Sequence, residues 1–258
     1  PYPGAAAETG VGVTINQGGA VFAGILTAAN IIDATDGDGN TRVGNAAGNS
    51  FTVGSAQNNT LIGKNSGTAI TTGTDNTAVG KFALAANTTA DDNTAVGGNS
   101  LTANTTGTRN TAVGYQSLED NTTANDNTAV GFQALEYNTG GGNSALGSRA
   151  LDANTSGGSN TAVGDNALGA NTTASYNTAV GKDALVANTT GQYNTALGGT
   201  ALDANTTANY NTALGYEALE DNTTASYNTA VGHRAGATIT TGTQNTAVGW
   251  GAYDDGNG

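Results

Sequence analysis

The chain has no cysteine, no methionine and two prolines, and only seven basic residues stand against twenty acidic ones. Without cysteine there is no disulfide framework and no thiolate metal site. With a net charge of −13, nucleic acid and anionic membrane are poor partners, because both require a basic footprint. Acidity of this order suits solubility, cation binding or a place outside the cell. Aromatic residues make up 5% of the chain and charged ones 10%. No apolar run is long enough for a transmembrane helix: "GGAVFAGILTAANIID" (Gly18 to Asp33) falls short of ~20 apolar residues and contains Asn30. Its Val, Ile, Leu and Phe suit a buried strand or an assembly surface. A start on Pro1-Tyr2-Pro3 with no methionine reads as a mature product that has lost a leader, which implies export; a truncated piece is the alternative.

What the 258 residues do contain is 40 glycines, much Asn, Thr and Ala, and one phrase said repeatedly. An asparagine opens a unit at Asn59, Asn76, Asn93, Asn110 and so on to Asn245, every 17 residues apart from one step of 16 between Asn127 and Asn143. The shared pattern is N-T-A-V-G-x-x-A-L-x-x-N-T-T-x-x-x, in twelve units. A fixed period sets the architecture. Seventeen residues are too few for the paired helices of longer solenoid repeats, and each unit carries two turn signals, after the valine and at Asn-Thr-Thr. "T-A-V-G" alternates as a strand does. The expectation is all-β: a β-solenoid of about twelve coils over 59–258, each strand pairing with its copy one coil on, preceded by a strand-rich segment over 1–58 for capping or assembly. Coils at a ~4.8 Å rise predict a rod on the order of 58 Å long. A single helical turn at "YQSLED" or "YEALED" is the local alternative.

The repeats vary informatively. The fourth position is Val, Leu or Ile throughout and the ninth is Leu in most units, so both are assigned to the interior. Two units replace the ninth Leu with Gly67 or Gly236, and in both the twelfth Asn becomes Ile70 or Ile239. Bulk that leaves one position and returns at another implies that the two border one volume. Asn at positions one and twelve should stack as amide ladders. Tyr176, Tyr193, Tyr210 and Tyr227 occupy the position before the opening Asn in successive units. They form either a stiffening ring stack or a docking stripe for a glycan or a neighbouring fibre. Asp75, Asp92, Arg109 and Asp126 share that column, the arginine relieving like-charge repulsion.

"NTAVGxxAL" resembles the short "AIGxxA"-type repeat of trimeric autotransporter adhesin heads. It is also similar to the Asn-Thr-Ala-Val-Gly repeats of phage tail fibres and tail-fibre-like bacterial surface proteins. The resemblance covers 59–258 and implies a β-roll shaft, homotrimeric association and a surface receptor. The 17-residue period and the lack of a coiled-coil stalk, anchor or chaperone domain in this sequence depart from the adhesin pattern.

Chemistry is sparse. His233 is the single histidine and lies in a repeat; there is no zinc-protease or phosphate-loop motif, so catalysis is not expected. "DATDGDGNT" supplies Asp33, Asp36, Asp38 and Asn40, alternating oxygen donors spaced by glycine, as a hard cation such as Ca²⁺ prefers. An acidic turn is the plain alternative. "YDDGN" (Tyr253 to Asn257) is a weaker candidate of the same kind. Asn87, Asn104, Asn121, Asn154, Asn171, Asn188, Asn205 and Asn222 stand in glycosylation sequons, decorated where exposed.

Together these features point to a secreted structural subunit of an extracellular filament or surface fibre, polymerising with itself head-to-tail through its N-terminal strands. A homotrimeric adhesin or fibre-shaft module is the second reading. Ice binding through the Thr columns (Thr88, Thr105, Thr122, Thr172, Thr189) is a third.

Overall fold

Three residues of every repeat are strand. In the computed structural model, which describes residues 38–52 and 54–254 and the backbone of three further short strands, Thr-Ala-Val of one coil lies beside Thr-Ala-Val of the next. Those three strands are β1 (Thr14–Asn16), β2 (Gly19–Val21) and β3 (Ile32–Asp33). From β4 (Thr41–Val43) to β16 (Thr246–Val248), each strand pairs parallel and in register with its copy one coil away, for example Thr77↔Thr94, Ala78↔Ala95 and Val79↔Val96. Among the described residues the sheet has 14 strands and one antiparallel pairing, β3 with β4; β1 and β2 form a separate antiparallel hairpin. The protein is an all-β solenoid of 17-residue coils.

The repeats begin one coil before residue 59. β4 pairs with β5 (Thr60–Ile62), and Asn40 stands one rung ahead of Asn59. This coil was hidden because 19 residues separate the two asparagines and Phe51 replaces the twelfth-position Asn.

From β4 to β15 each strand ends at a glycine and runs into a six-residue turn. Gly80 has φ +143, and a Cβ there would strike the carbonyl of Gly97 in the next coil, so no side chain fits. The seventh and ninth positions are left-handed: Gln116 has φ 57 and Leu118 φ 51. Right-handed helix cannot pass through such residues, and "YQSLED" and "YEALED" are accordingly turns. A leucine in this region costs about 1–2 kcal/mol. Burying its side chain returns about 1.5–3 kcal/mol, and the ninth-position leucines from Leu84 to Leu219 are fully buried. Packing outweighs backbone preference.

The interior is narrow. It holds the third-position Ala (Ala78, Ala95, Ala112), the eighth-position Ala or Ser, the ninth-position Leu and both asparagines. The fourth-position residue faces out, contrary to the expectation from its hydrophobicity: Ile62, Leu146, Leu197, Leu214 and Val248 are exposed. Strand alternation places Thr and Val on one face and Ala on the other. Opposite a layer of leucines in a thin coil, only Ala fits.

Positions nine and twelve do share one volume. A Cβ on Gly67 would lie 2.8 Å from Ile70 Cδ1, and one on Gly236 would lie 3.0 Å from Ile239 Cδ1. Gly48 and Phe51 repeat the exchange in the first coil, where the Phe51 ring is 3.0 Å from such a Cβ.

The buried asparagines are paired in ladders. Asn59 donates its backbone N–H (2.9 Å) and its Nδ2 (3.0 Å) to Asn40 Oδ1. Asn76 does the same to Asn59, and the ladder reaches Asn245 on Asn228 (2.9 and 3.1 Å). A second ladder joins twelfth positions, as in Asn104 Nδ2 to Asn87 Oδ1 at 3.2 Å and Asn171 Nδ2 to Asn154 Oδ1 at 2.8 Å.

Candidate functional site

With the interior closed by leucine, alanine and amide ladders, what the molecule offers to others lies in its outward columns. The first is the strand face. Its central column runs Val43, Ile62, Val79, Val96, Val113 and onward to Val248, flanked by the second-position threonines, and no charged side chain stands at either position. Identical registers hold it straight from β4 to β16. Exposure reaches 52% at Leu146 and 68% at Val248.

The second column is aromatic. Tyr176, Tyr193, Tyr210 and Tyr227 stack with centroids 5.0–5.1 Å apart and planes within 7°. Each ring covers its neighbour's face and presents an edge to solvent, so a sugar finds an open ring face only at the two ends of the stack. The geometry is that of a stiffening ladder. Every one of these tyrosines is left-handed, at φ 59–65. Tyr115 stacks on Phe132, and His233 lies between Tyr216 (5.6 Å) and Trp250 (6.2 Å).

Charges are arranged along the same axis. Arg109 holds Asp126 through two hydrogen bonds of 2.6 and 2.9 Å and keeps that carboxyl below its usual range. Arg234 bridges Glu217 (2.7 Å) and Asp254 (3.0 Å). Asp254, part of the weaker "YDDGN" candidate, is thereby paired, and the rest of that stretch beyond it lies outside the described residues. At the tenth position Glu119, Glu136 and Asp152 follow one another in three successive coils. Burial, then the adjacent Glu119, pushes the Glu136 carboxyl up, and burial raises Asp152 as well.

The expected cation ligands are only partly described. Asp38 Oδ2 accepts the Gly54 N–H at 2.8 Å, clamping a loop. Asn40 is buried and gives its Oδ1 to Asn59 and its Nδ2 to Ala56 O (2.7 Å), so its side chain belongs to the first ladder rung. Asp33 is placed by its backbone alone, opposite Arg42; Asp36 lies outside the described residues. Among the described residues, no three acidic or histidine side chains converge as a metal site.

The sequons are interior. All eight asparagines are fully buried in the second ladder, where their Nδ2 atoms donate to tail carbonyls, as Asn87 does to Ala90 O at 3.0 Å. A folded coil leaves no amide for a glycosyltransferase. The threonines beside them are also engaged: Thr88 Oγ1 donates to Thr105 O (3.2 Å) and Thr189 Oγ1 to Thr206 O (3.1 Å), directing hydroxyl hydrogens along the rod. The burial of the asparagines follows from the amide ladder expected at position twelve; the threonine bonds could not be read from sequence, since they depend on which way the tail turns.

Among the described residues no helix is long and apolar enough to cross a membrane. Comparison with known proteins found no matching family model, no matching curated protein and no matching solved structure.

Proposed function

We propose that the chain is a rigid structural segment of an extracellular surface fibre and that it works by associating with copies of itself. The observation that carries this reading is the uncharged, outward-facing column of Val, Leu and Ile that runs the length of the sheet. A solenoid that needed only to be soluble would carry polar residues there, as it does at most other outward positions. The column has the period of the coil, and a second copy of the same chain is the partner that matches that period at every rung. A strip on the order of 58 Å by 10 Å approaches the ~800 Å² per partner of a standard interface once its threonine borders are included.

Copies aligned side by side around a threefold axis would bury this column from all sides, which is the shaft-module reading. Head-to-tail polymerisation through the N-terminal strands is the alternative mode; of residues 1–58 the structure describes the backbone of β1, β2 and β3 together with 38–52 and 54–58. Export, a surface receptor and a calcium-stabilised N-terminal loop belong to this proposal. They rest on the acidic, thiol-free composition, the repeat resemblance and the spacing of Asp33, Asp36 and Asp38.

The test is the solution mass of the intact protein by light scattering. A species of three times 25.2 kDa supports the shaft. Open-ended polymers support head-to-tail growth. In a Val113→Asp/Val163→Asp variant, the trimer should fall to 25.2 kDa with its β circular dichroism unchanged. A monomer in the unmodified protein overturns self-association.

A further inference from the structure

One coil departs from its neighbours. The 127–142 unit is a residue short in its tail. The second asparagine ladder and the threonine backbone series each miss a step here. They also miss one at the full-length coil of Asn222, which leaves Asn205 Oδ1 unpaired, but there the opening Asn211 keeps its tail carbonyl, Ala225 O at 2.9 Å. Asn138, which should donate to Asn121, turns its Nδ2 to Gly140 O at 2.7 Å, and its Oδ1 takes the amides of Asn143 and Asn154. In full-length coils the opening asparagine reaches a carbonyl fourteen residues on: Asn93 to Gly107 O and Asn110 to Ala124 O, both 2.9 Å. Asn127 makes no such bond. Asn121 Oδ1 and Asn127 Nδ2 are therefore left buried and without a partner, in residues that are 0% exposed.

Neither atom is cured by turning an amide over. Asn121 Nδ2 is committed to Asn104 Oδ1 (2.9 Å) and Ala124 O (3.1 Å), and Asn127 Oδ1 accepts the Asn143 N–H (2.9 Å). Both orphans border the place that the Asn138 amide fills in a regular coil. There a twelfth-position Nδ2 donates to the Oδ1 one coil back, as Asn104 does to Asn87, and shares a tail carbonyl with its own opening asparagine, as Asn104 and Asn93 share Gly107 O. In a regular coil the opening and twelfth asparagines converge on one tail carbonyl, as Asn76 and Asn87 do on Ala90 O (2.8 and 3.0 Å). Here that convergence is what the short tail fails to supply. The backbone shows the same fault. Threonine N–H groups donate one coil onward from Thr88 to Thr105 (3.1 Å) and Thr105 to Thr122 (2.8 Å), and the series resumes at Thr139 to Thr155 (2.6 Å) without a step from Thr122 to Thr139. Ala124 is partly exposed where its equivalents Ala90 and Ala174 are buried, so the gap lies within reach of solvent.

We propose that this notch is a binding site for a single water molecule, which donates to Asn121 Oδ1 and accepts from Asn127 Nδ2. The chemistry of the pair selects the ligand. A cation would satisfy the oxygen and oppose the N–H, an anion would do the reverse, and an apolar group would satisfy neither. Water offers a donor and an acceptor together, and a polar gap with two such groups is where buried water is held.

The test is a high-resolution structure of the full chain together with water–amide cross-relaxation in solution. The expected result is a water within hydrogen-bonding distance of both atoms and a long-lived water signal at the Asn127 side-chain amide. Inserting one Ala between Gly141 and Gly142 restores the 17-residue tail; that variant should lose the signal and melt several degrees higher. An empty notch, direct pairing of the two atoms with protein groups, or a water signal that survives the insertion overturns the proposal.

Discussion

At the scale of a residue, asparagine does in this interior what leucine alone cannot. A coil corner brings backbone carbonyls and N–H groups inside, and each must find a partner or cost about 1–3 kcal/mol. Asn93 accepts the Asn110 N–H and Nδ2 and donates to Asn76 Oδ1, Asp91 O and Gly107 O. Asn93→Ala should destabilise the protein by about 2–4 kcal/mol, measured by chemical denaturation, because it orphans groups in both adjacent coils. Glu136 tests the opposite case, a buried charge. Its folded pKa is raised above the ordinary 4.5, first by burial and then by Glu119. A raised carboxyl binds its proton better in the folded state, so this group opposes folding at neutral pH. It releases that penalty as pH falls through its folded pKa toward its unfolded one. Asp126 and Asp254, lowered by their arginines, lose stabilisation only further down, as pH falls through their own folded values. Melting temperature should therefore rise on going from pH 7 to mildly acid conditions before it falls. Glu136→Gln should raise it at pH 7 and flatten that rise.

At the scale of the coil, much was legible in the letters. The 17-residue period, the leucine column, the stacked tyrosines and the amide ladders followed from spacing alone. So did the exchange of Leu for Gly and Asn for Ile, because a repeat reports its own substitutions. The strand face was not legible. Val79 is more hydrophobic than Ala78, and a reading by hydrophobicity puts Val inside; the width of the coil, which no single repeat states, puts Ala there. The sequon at Asn87 and its equivalents records residue types and not burial; the ladder expected at position twelve, not the motif, told where those amides lie. The exchange gives a coil-level prediction. Gly236→Leu should cost about 1–3 kcal/mol by colliding with Ile239. Ile239→Asn alone should cost about 2–5 kcal/mol through the emptied volume. The double variant should recover most of both, and a double-mutant cycle on denaturation free energies would measure that coupling. Independent, additive losses would mean that the two positions do not share a volume.

At the scale of the whole molecule, stability is a sum over coils and the seams between them. The short 127–142 coil has the poorest seam, so hydrogen exchange should begin there among the internal coils and spread outward. Calcium, if held by Asp33, Asp36 and Asp38, would act in the stretch of sequence that precedes the first coil. A chelator should then lower the melting temperature of the intact chain and leave an Asp36→Asn/Asp38→Asn variant unaffected. Asn40→Ala should destabilise with or without chelator, because its amide supports Asn59.

The in-register pairing of like residues, Thr77 with Thr94 and Ala78 with Ala95, has a consequence for heredity. Most seams join like residues, so excising 161–177 would bring the strand at 144–146 against that at 178–180 in the register it now keeps with 161–163. Recombination between repeats can therefore lengthen or shorten this gene in whole coils, each giving a folded product. The reach of the fibre is a count that mutation can change by one, in steps of about 4.8 Å.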